Sequence, residues 1–182
     1  MKSRGSVAVI GGSMAGLFAA ISLRSLNFDV NIFERSAGDL TNGGAGIATH
    51  SELYDALESA GVELRAEMGI QSNGRVMFDN GGKIMHRVAM KQIMTSWGLI
   101  YRFLRKQIPK ENYHSEHCLQ NLSFSGKSVT AVFSNGNDVT TDWLIGADGA
   151  RSQVRKIIAP EITPIYAGYL GWRGLIDENL IS

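Results

Sequence analysis

The sequence has little cysteine, little proline and almost no net charge. It contains one cysteine, Cys118, and three prolines in 182 residues, and 18 Lys and Arg residues against 17 Asp and Glu residues give a formal charge of +1. A single cysteine excludes an intrachain disulfide framework and fits a reducing compartment, the cytoplasm. The balanced charge provides no broad basic surface for nucleic acid. No apolar run reaches the roughly 18 residues of a membrane-spanning helix.

Glycine is the residue in excess. The chain contains 21 glycines, a share above the average of about 7%. Together with the low proline content, this excess indicates tight turns within ordered structure rather than flexible linkers. Apolar residues form 44% of the chain and charged residues 19%. Such a chain can bury a core, which argues against a disordered or fibrous protein.

The first 35 residues predict a strand, a turn, a helix and a second strand. Residues 7–10 are a short apolar run, typical of a strand buried on both faces. Apolar residues then repeat at helical spacing from Met14, and residues 29–33 form a second short strand. Such a βαβ unit predicts an α/β fold with a Rossmann-like parallel sheet. The glycine turn also interrupts the apolar stretch near the N-terminus, which argues against a signal peptide.

Two further helices are predicted in the middle of the chain. Thr49 and Glu52 form a capping box before the first helix, and Gly61 stands at its C-terminal stop. The second helix opens at residue 95 or 96, presents one apolar face, and is ended by Pro109.

Turn sequences predict two hairpins and a final strand, a small antiparallel element beside the parallel sheet. Residues 75–78 and 83–87 flank a turn of Asp, Asn and two glycines. Asn135 and Gly136 follow a strand with alternating apolar residues, which is a strong hairpin signal. Residues 143–145 are interpreted as another buried strand, which runs into the glycine-rich segment 146–149.

The turn after the first strand reads Gly-Gly-Ser-Met-Ala-Gly. A dinucleotide-binding fingerprint places glycine at the first, third and sixth positions, and this turn departs from it at the third, which is Ser13. The first glycine allows a sharp exit from the strand, and the last lets the helix lie close to it. The helix N-terminus then offers N–H groups to a pyrophosphate. The turn therefore predicts a pyrophosphate site formed by Gly11, Gly12, Ser13, Met14, Ala15 and Gly16.

A carboxylate follows the second strand. Glu34 lies 18 residues after Gly16, where an acidic side chain accepts hydrogen bonds from the two hydroxyls of a ribose. A carboxylate there disfavours a 2′-phosphate on the same ribose. The alternative interpretation is a glycine turn of any α/β protein, with Glu34 as a surface charge.

Residues 142–155, with the sequence DWLIGADGARSQVR, are more specific. They resemble the strand-end signature of FAD-dependent aromatic-ring monooxygenases, the class typified by p-hydroxybenzoate hydroxylase. Other segments are similar to the branch of that family that contains dihydroxypyridine hydroxylase, and the resemblance covers essentially the whole chain. These segments are residues 33–36, 44–47, 113–114 with 118–119, and 166–169 with 172–174.

The resemblance implies FAD as the cofactor and several of its contacts. It implies that Asp148 contacts the ribose and ribityl region, that Gly149 lets the backbone approach the cofactor, and that an arginine, Arg155, supports this segment. It places the backbone near Leu119 against the adenine. Further contacts are implied for Arg35, beside the ribose-binding Glu34, and for Gly46 and Ile47, which should pass near the flavin ring. An arginine that opens the second predicted helix in many relatives is replaced here by Trp97.

The resemblance also divides the chain. Residues 1–165 are expected to form the FAD-binding domain, with a hairpin at 71–90 toward the substrate side, and residues 166–182 to begin a truncated substrate-domain sheet. The family carries a later Gly-Asp motif that this sequence lacks, so the chain is expected to be a fragment or a shortened product. An exposed strand around residues 169–175 makes a homodimer one expectation.

In the resembled family, NAD(P)H reduces the flavin, and one oxygen atom of O2 is transferred to an aromatic or heteroaromatic ring. The resemblance therefore implies an oxidoreductase, a flavoprotein monooxygenase, with a small aromatic substrate. Two alternatives stay open: a non-catalytic, truncated nucleotide-binding module and an NAD-dependent dehydrogenase. Residues 146–149 argue against the dehydrogenase, because a fold that binds only a nicotinamide cofactor does not need them.

Histidine and cysteine residues indicate weaker candidates. His50 is a candidate for proton transfer near the flavin or the substrate, or else it packs at the start of a helix. His114, His117 and Cys118 lie close together in the sequence, but their spacing matches no established zinc pattern, and we expect no metal site. Cys118 is expected to be a packed thiol without a role as a nucleophile.

Overall fold

A computed structural model describes residues 3–38, 40–42, 46–62, 68–171 and 178–180. The strands in these ranges are β1 Ser6–Ile10, β2 Asp29–Phe33, β3 Gly46–Ala48, β4 Ile70–Phe78, β5 Ile84–Ser96, β6 Tyr113–His114, β7 Leu119–Ser125, β8 Ser128–Phe133, β9 Asp138–Thr141 and β10 Trp143–Gly146. The helices are α1 Met14–Ser25, α2 Ser51–Ser59, α3 Trp97–Lys106 and α4 Gln153–Ile158. Short 3-10 turns occupy Leu40–Asn42, Lys110–Asn112 and Glu178–Leu180.

A parallel sheet with the strand order β10-β1-β2-β6 forms the centre of the fold. Strand β1 is buried on both faces, as its apolar run predicted. One face of the sheet packs against α1 and α3, and the other face packs against β7, β8 and α4. The pairing of β1 with β10 joins Val7 to Trp143, across most of the described chain. The predicted α/β fold with a Rossmann-like parallel sheet is confirmed.

Two antiparallel sheets accompany the parallel one. The sheet β7-β8-β9 contains the hairpin predicted at Asn135 and Gly136, and its apolar side chains cover one face of the parallel sheet. The sheet β3-β5-β4 contains the other predicted hairpin, whose strands are longer than expected. Large apolar side chains are exposed along this hairpin, among them Ile70, Phe78 and Met85. The small antiparallel element of the prediction is therefore two three-stranded sheets.

The start of α3 follows the prediction, whereas the start of α2 does not. Ser96 is the N-cap of α3, and its Oγ accepts the N–H of Leu99 at 3.1 Å. The capping box of Thr49 and Glu52 is wrong, because the N-cap of α2 is His50. Thr49 is instead buried, and its hydroxyl donates to the Ile93 carbonyl of β5 at 2.8 Å. Its side chain therefore fastens the start of the helix to the neighbouring sheet.

Two side chains that were predicted to be buried are exposed. Trp143 was expected within a buried strand, but it is 62% exposed because β10 is an edge strand of the parallel sheet. Cys118 was expected to be a packed thiol, but it is exposed. Within the described ranges, no helix has the length and apolar character needed to cross a bilayer.

The predicted boundary at residue 165, between a FAD-binding domain and the start of a substrate-domain sheet, stays a prediction. Residues 166–171 contain no strand, and residues 172–174 of the expected sheet start lie outside the described residues. Residues 44 and 45, part of the segment that resembles the family, also lie outside them. The hairpin predicted at 71–90 lies within β4 and β5, and its direction toward a substrate remains an expectation.

Candidate functional site

A cavity of about 340 Å³ lies at the carboxyl ends of β1, β2 and β10. This is the edge at which open parallel sheets bind ligands. Residues from both predicted motifs line it, although more than 110 positions separate them in the sequence. The predicted site residues on its wall are Gly11, Ser13, Ala15, Glu34, Arg35, Leu119, Asp148 and Gly149. The fold thus brings together most of the residues predicted to contact a cofactor.

The glycines of the first turn are required by close backbone contacts. Gly11 has a φ of +107°, and a Cβ there would overlap the carbonyl oxygen of Ala147, beyond β10. A Cβ at Gly12 would overlap the hydroxyl of Tyr113, and one at Gly16 would overlap the carbonyl oxygen of Gly11. No larger residue fits at Gly11 or Gly16 without a backbone shift, and one at Gly12 would displace the side chain of Tyr113.

The N-terminus of α1 is left open for a ligand. Its N-cap, Ser13, makes no capping hydrogen bond with its side chain, and the first turn contains no acidic residue. The N–H of Leu17 donates to the carbonyl of Ser13 at 2.9 Å, so the N–H groups of residues 14–16 lack acceptors within the helix. These N–H groups and the positive end of the helix dipole favour an anion.

Glu34 is a buried carboxylate fixed by backbone groups. Its Oε2 accepts the N–H of Gly12 at 2.7 Å, and its Oε1 accepts the N–H of Ser36 at 3.0 Å. The side chain is 6% exposed, and it forms no ion pair with any described residue. Because each carboxylate oxygen has a second lone pair, both can still accept a hydroxyl. This arrangement suits recognition of a ribose by a carboxylate held in advance.

The second motif organises the start of α4. Asp148 Oδ1 accepts the hydroxyl of Ser152 at 2.5 Å, and Oδ2 accepts the N–H groups of Gln153 at 2.6 Å and Val154 at 3.2 Å. The guanidinium of Arg155 donates to the carbonyl of Ala150 at 2.8 Å. Asp148 therefore holds a turn and a helix in place while it lines the cavity. Its predicted contact with the cofactor stays a prediction.

Aromatic and histidine rings form a wall behind Glu34. Phe33 stacks on His114 and Phe133, with ring centroids 4.9 Å apart in each pair, and His117 contacts all three rings. The Nδ1–H of His117 donates to the carbonyl of Ser115 at 2.6 Å. Burial, with a smaller effect of nearby His117, lowers the pKa of His114. The two imidazoles, weighed above for metal binding, are packed here as aromatic rings.

The described residues contain no group of three His, Cys, Asp or Glu side chains arranged to hold a metal ion. Cys118 instead lies on the wall of the cavity, next to Leu119 and His117. The exposed side chain of Arg151 also lines the cavity. Sequence reasoning did not assign Arg151 or Cys118 to the site, because nothing local to either residue indicates which strand ends meet there.

Gly12, Met14 and Gly16 belong to the turn without lining the cavity, and three other predicted residues lie away from it. Gly46 and Ile47 belong to β3, which pairs with Ser96 and Thr95 of β5 in a separate sheet. The ring of His50 is 62% exposed, lies 3.0 Å from Glu52, and caps α2 by accepting the N–H of Leu53. The roles proposed for these residues beside the flavin or the substrate therefore stay predictions.

A residue that the prediction missed lies beneath the first turn. The hydroxyl of Tyr113 donates to the carbonyl of Gly12 at 3.2 Å and lies 3.3 Å from the hydroxyl of Tyr101. Its position depends on the pairing of the two-residue strand β6 with β2. The sequence signal was only the similarity of residues 113–114 to the resembled branch, which says nothing of this contact.

Comparison with known proteins identifies similar chains. A family model described as "FAD binding domain" matches residues 4–165. The 2,6-dihydroxypyridine 3-monooxygenase of Paenarthrobacter nicotinovorans is 38% identical over 176 residues, which cover 97% of this chain and 44% of the relative. The aurachin C monooxygenase/isomerase of Stigmatella aurantiaca is 28% identical over 189 residues, which cover 98% of this chain and 49% of the relative.

A solved structure has the same fold. The 2,6-dihydroxypyridine-3-hydroxylase of Arthrobacter nicotinovorans superposes with a TM-score of 0.83 at 37% identity, covering 92% of this chain and 42% of that one. The chain thus spans somewhat less than half the length of these relatives.

Proposed function

Because this chain belongs to the FAD binding domain family of flavoprotein monooxygenases, we propose that it serves an enzyme that hydroxylates an aromatic or heteroaromatic ring. The chain supplies the FAD-binding portion. The electron donor in this proposal is NAD(P)H, and the oxidant is O2. The observation that carries the proposal is a turn in which Gly11 and Gly16 leave no room for a side chain, beside the buried carboxylate of Glu34.

The residues of the cavity fit FAD. The open N-terminus of α1 suits the pyrophosphate, and Glu34 suits the hydroxyls of the adenosine ribose. Leu119 and the ring wall behind Glu34 suit the adenine, and Asp148 suits the flavin-side ribityl chain. Bound FAD supplies the redox chemistry, because no side chain can exchange electrons with NAD(P)H and O2 in this way. The protein binds and orients the cofactor and limits water around it.

The substrate in this proposal is a small aromatic or heteroaromatic ring. The named relatives act on dihydroxypyridine and aurachin C, according to their names, and both alignments cover nearly all of this chain. A location in the cytoplasm fits the single cysteine. A homodimer is also part of the proposal, because Tyr166, Tyr169 and Leu170 are exposed and apolar.

A second candidate is a nucleotide-binding module without activity of its own. It needs only the open N-terminus of α1 and the carboxylate of Glu34, and neither is a catalytic group. Such a module would retain FAD and would not turn over a substrate.

The deciding experiment is retention of flavin by the purified chain. FAD is added, free ligand is removed by gel filtration, and flavin absorbance is measured in the protein fraction. FMN is the matched control ligand, because it lacks the adenosine and the pyrophosphate that the cavity suits. We expect FAD to be retained and FMN to be lost. Equal loss of both would contradict the proposed cofactor site.

Turnover then separates the two candidates. The FAD-loaded chain is mixed with NADH or NADPH and 2,6-dihydroxypyridine, and oxygen uptake and hydroxylated product are measured. Cyclohexanol is the control, because it has a hydroxyl and no aromatic ring. Product from the pyridine alone supports the monooxygenase. Retained FAD without product supports the module.

A further inference from the structure

Gly12, in the candidate cofactor turn, is held from both sides. The N–H of Gly12 donates to Glu34 Oε2 at 2.7 Å, on the side of the buried carboxylate. The carbonyl of Gly12 accepts the hydroxyl of Tyr113 at 3.2 Å, from the direction of β6. The tyrosine hydroxyl also occupies the space that a Cβ of Gly12 would need. Gly12 is thus fixed by one acceptor and one donor that come from adjacent strands.

The hydroxyl of Tyr113 is committed to donating. A carbonyl oxygen only accepts, so the contact with Gly12 uses the proton of Tyr113, and the hydroxyl of Tyr101 lies 3.3 Å from the same oxygen. Burial, followed by the hydrogen bond with Tyr101, raises the pKa of Tyr113 above its usual range. The guanidinium of Arg105 lies 4.1 Å from the centroid of the Tyr113 ring, a distance typical of a cation–π contact. The contact with Arg105 holds the ring in place, although this cation lowers the pKa of the hydroxyl and so opposes the larger effect of burial.

The geometry of the peptide carries this restraint to the cavity. In a planar trans peptide the carbonyl and the following N–H point in opposite directions. Because Tyr113 holds the carbonyl of Gly12, the N–H of Ser13 points away from Tyr113. Ser13 lines the candidate FAD cavity, whereas Tyr113 lines a different groove, on the α3 side of the turn.

We propose that Tyr113 is a positioning residue for the FAD pyrophosphate. It acts through the Gly12–Ser13 peptide, whose N–H it directs toward the phosphate oxygens. The inference rests on the proposed FAD site and adds to it a residue outside the cavity. Ser13 stands where the dinucleotide fingerprint has glycine, and its φ of −79° is one that any residue adopts. A fixed peptide orientation makes the N–H available without the extra backbone freedom of glycine.

The test compares Tyr113→Phe with Tyr101→Phe. Tyr113→Phe keeps the ring, its packing and its contact with Arg105, and removes both the donor to Gly12 and the contact with the Tyr101 hydroxyl. Tyr101→Phe also removes one hydroxyl of the same pair, but it leaves the bond to Gly12. We expect Tyr113→Phe to raise the Kd for FAD by about fivefold to tenfold, the usual effect of one lost hydrogen bond. Tyr101→Phe should change the Kd less than about twofold, because its bond reaches the turn only indirectly.

The ligand series separates positioning from a general structural role. ADP carries the pyrophosphate and adenosine does not, so Tyr113→Phe should weaken ADP binding and leave adenosine binding unchanged. Equal weakening of both ligands would overturn the inference. So would an unchanged Kd for FAD and ADP. Failure of the wild-type chain to bind FAD would contradict the proposed function instead.

A measurement on the wild-type chain covers the case in which the variant does not fold. In a titration of the 15N-labelled chain with ADP, the amide signal of Ser13 should shift strongly, and adenosine should leave it in place. In folded Tyr113→Phe, the shift with ADP should shrink. A Ser13 amide that ignores ADP in the wild type would overturn the inference regardless of the variant.

Discussion

Two glycine-containing turns lie side by side, each between a parallel strand and a helix. They differ in whether a side chain caps the helix that follows. The turn after β1 leads into α1, and the turn after β10 leads into α4, with Ile10 and Gly146 paired directly beside each other. In the first turn Gly11 and Gly16 are packed against backbone, and the N-terminus of the helix has no side-chain cap. In the second turn Gly149 has open space around it, and Asp148 bonds two N–H groups at the start of the helix.

The difference lies in where the acceptor for the helix N–H groups comes from. In the second turn the protein provides it, so α4 is complete without a ligand. In the first turn it must come from solvent or from an anion, because Glu34 is directed to Gly12 and Ser36 instead. A glycine-rich strand end therefore indicates a phosphate site only when no nearby side chain satisfies the helix.

The largest expected effect comes from alanine at one glycine of each turn. Gly11→Ala places a Cβ against the Ala147 carbonyl at a φ of +107°, so we expect a loss of about 3 kcal/mol in the free energy of unfolding. Retention of FAD should also be lost. Gly149→Ala has a φ of +78° and no atom in its way, so it should cost about 1–2 kcal/mol. Urea unfolding measures both, and equal losses would remove the distinction between the turns.

A moderate effect is expected at the carboxylate of the second turn. Asp148→Asn leaves one acceptor oxygen for the three donors that Asp148 now serves, and we expect a loss of about 1–3 kcal/mol in the free energy of unfolding. Asp142→Asn is the matched control at the other end of β10, because Asp142 is exposed and accepts only from Ser6. Urea unfolding without FAD should show a clear loss in the free energy of unfolding only for Asp148→Asn. Equal curves would show that Asp148 does not hold α4.

The interpretation of these turns from the sequence was good where the signal is local. The strand, turn and helix around Gly11 and Gly16 follow from hydrophobic spacing and glycine positions, and Asp29–Phe33 was predicted at the bounds that β2 has. The prediction that Trp143 is buried was wrong, because an apolar run does not indicate whether its strand lies at the edge of a sheet. Thr49 was wrongly assigned as a cap, because a distant strand offers its hydroxyl another acceptor.

The residues of the candidate site also differ in whether a local sequence signal identifies them. Glu34 and Asp148 could be found because each follows a strand and a recognisable motif. Tyr113 could not, because its contact with Gly12 is created by the pairing of β6 with β2. Contacts that join elements far apart in the chain leave no periodic pattern in either segment.

The smallest expected effect is a dependence of the melting temperature on pH, which we assign to His114. His114 has a pKa below its usual 6.5 in the folded chain, chiefly because it is partly buried. As the pH falls below 6.5, the unfolded chain takes up the proton first, so stability present above that value is lost progressively. We expect the melting temperature to fall between pH 7 and pH 5.

Replacement of the ring tests this assignment. His114→Gln should flatten the decline in melting temperature between pH 7 and pH 5. His86→Gln is the control, because His86 is an exposed residue of β5. An equally steep decline in His114→Gln would place the titrating group elsewhere. Any decline with its midpoint well above pH 7 would also argue against His114.

The pairing of β1 with β10 delays completion of the cofactor turn during synthesis. The two strands are joined across 136 positions, and Gly11 rests on Ala147 just beyond β10. The helix and strand that follow Gly11 are local and can form early. At usual rates of translation, Ala147 leaves the ribosome on the order of ten seconds after Gly11. The candidate cofactor site is therefore completed well after its first residues have been made.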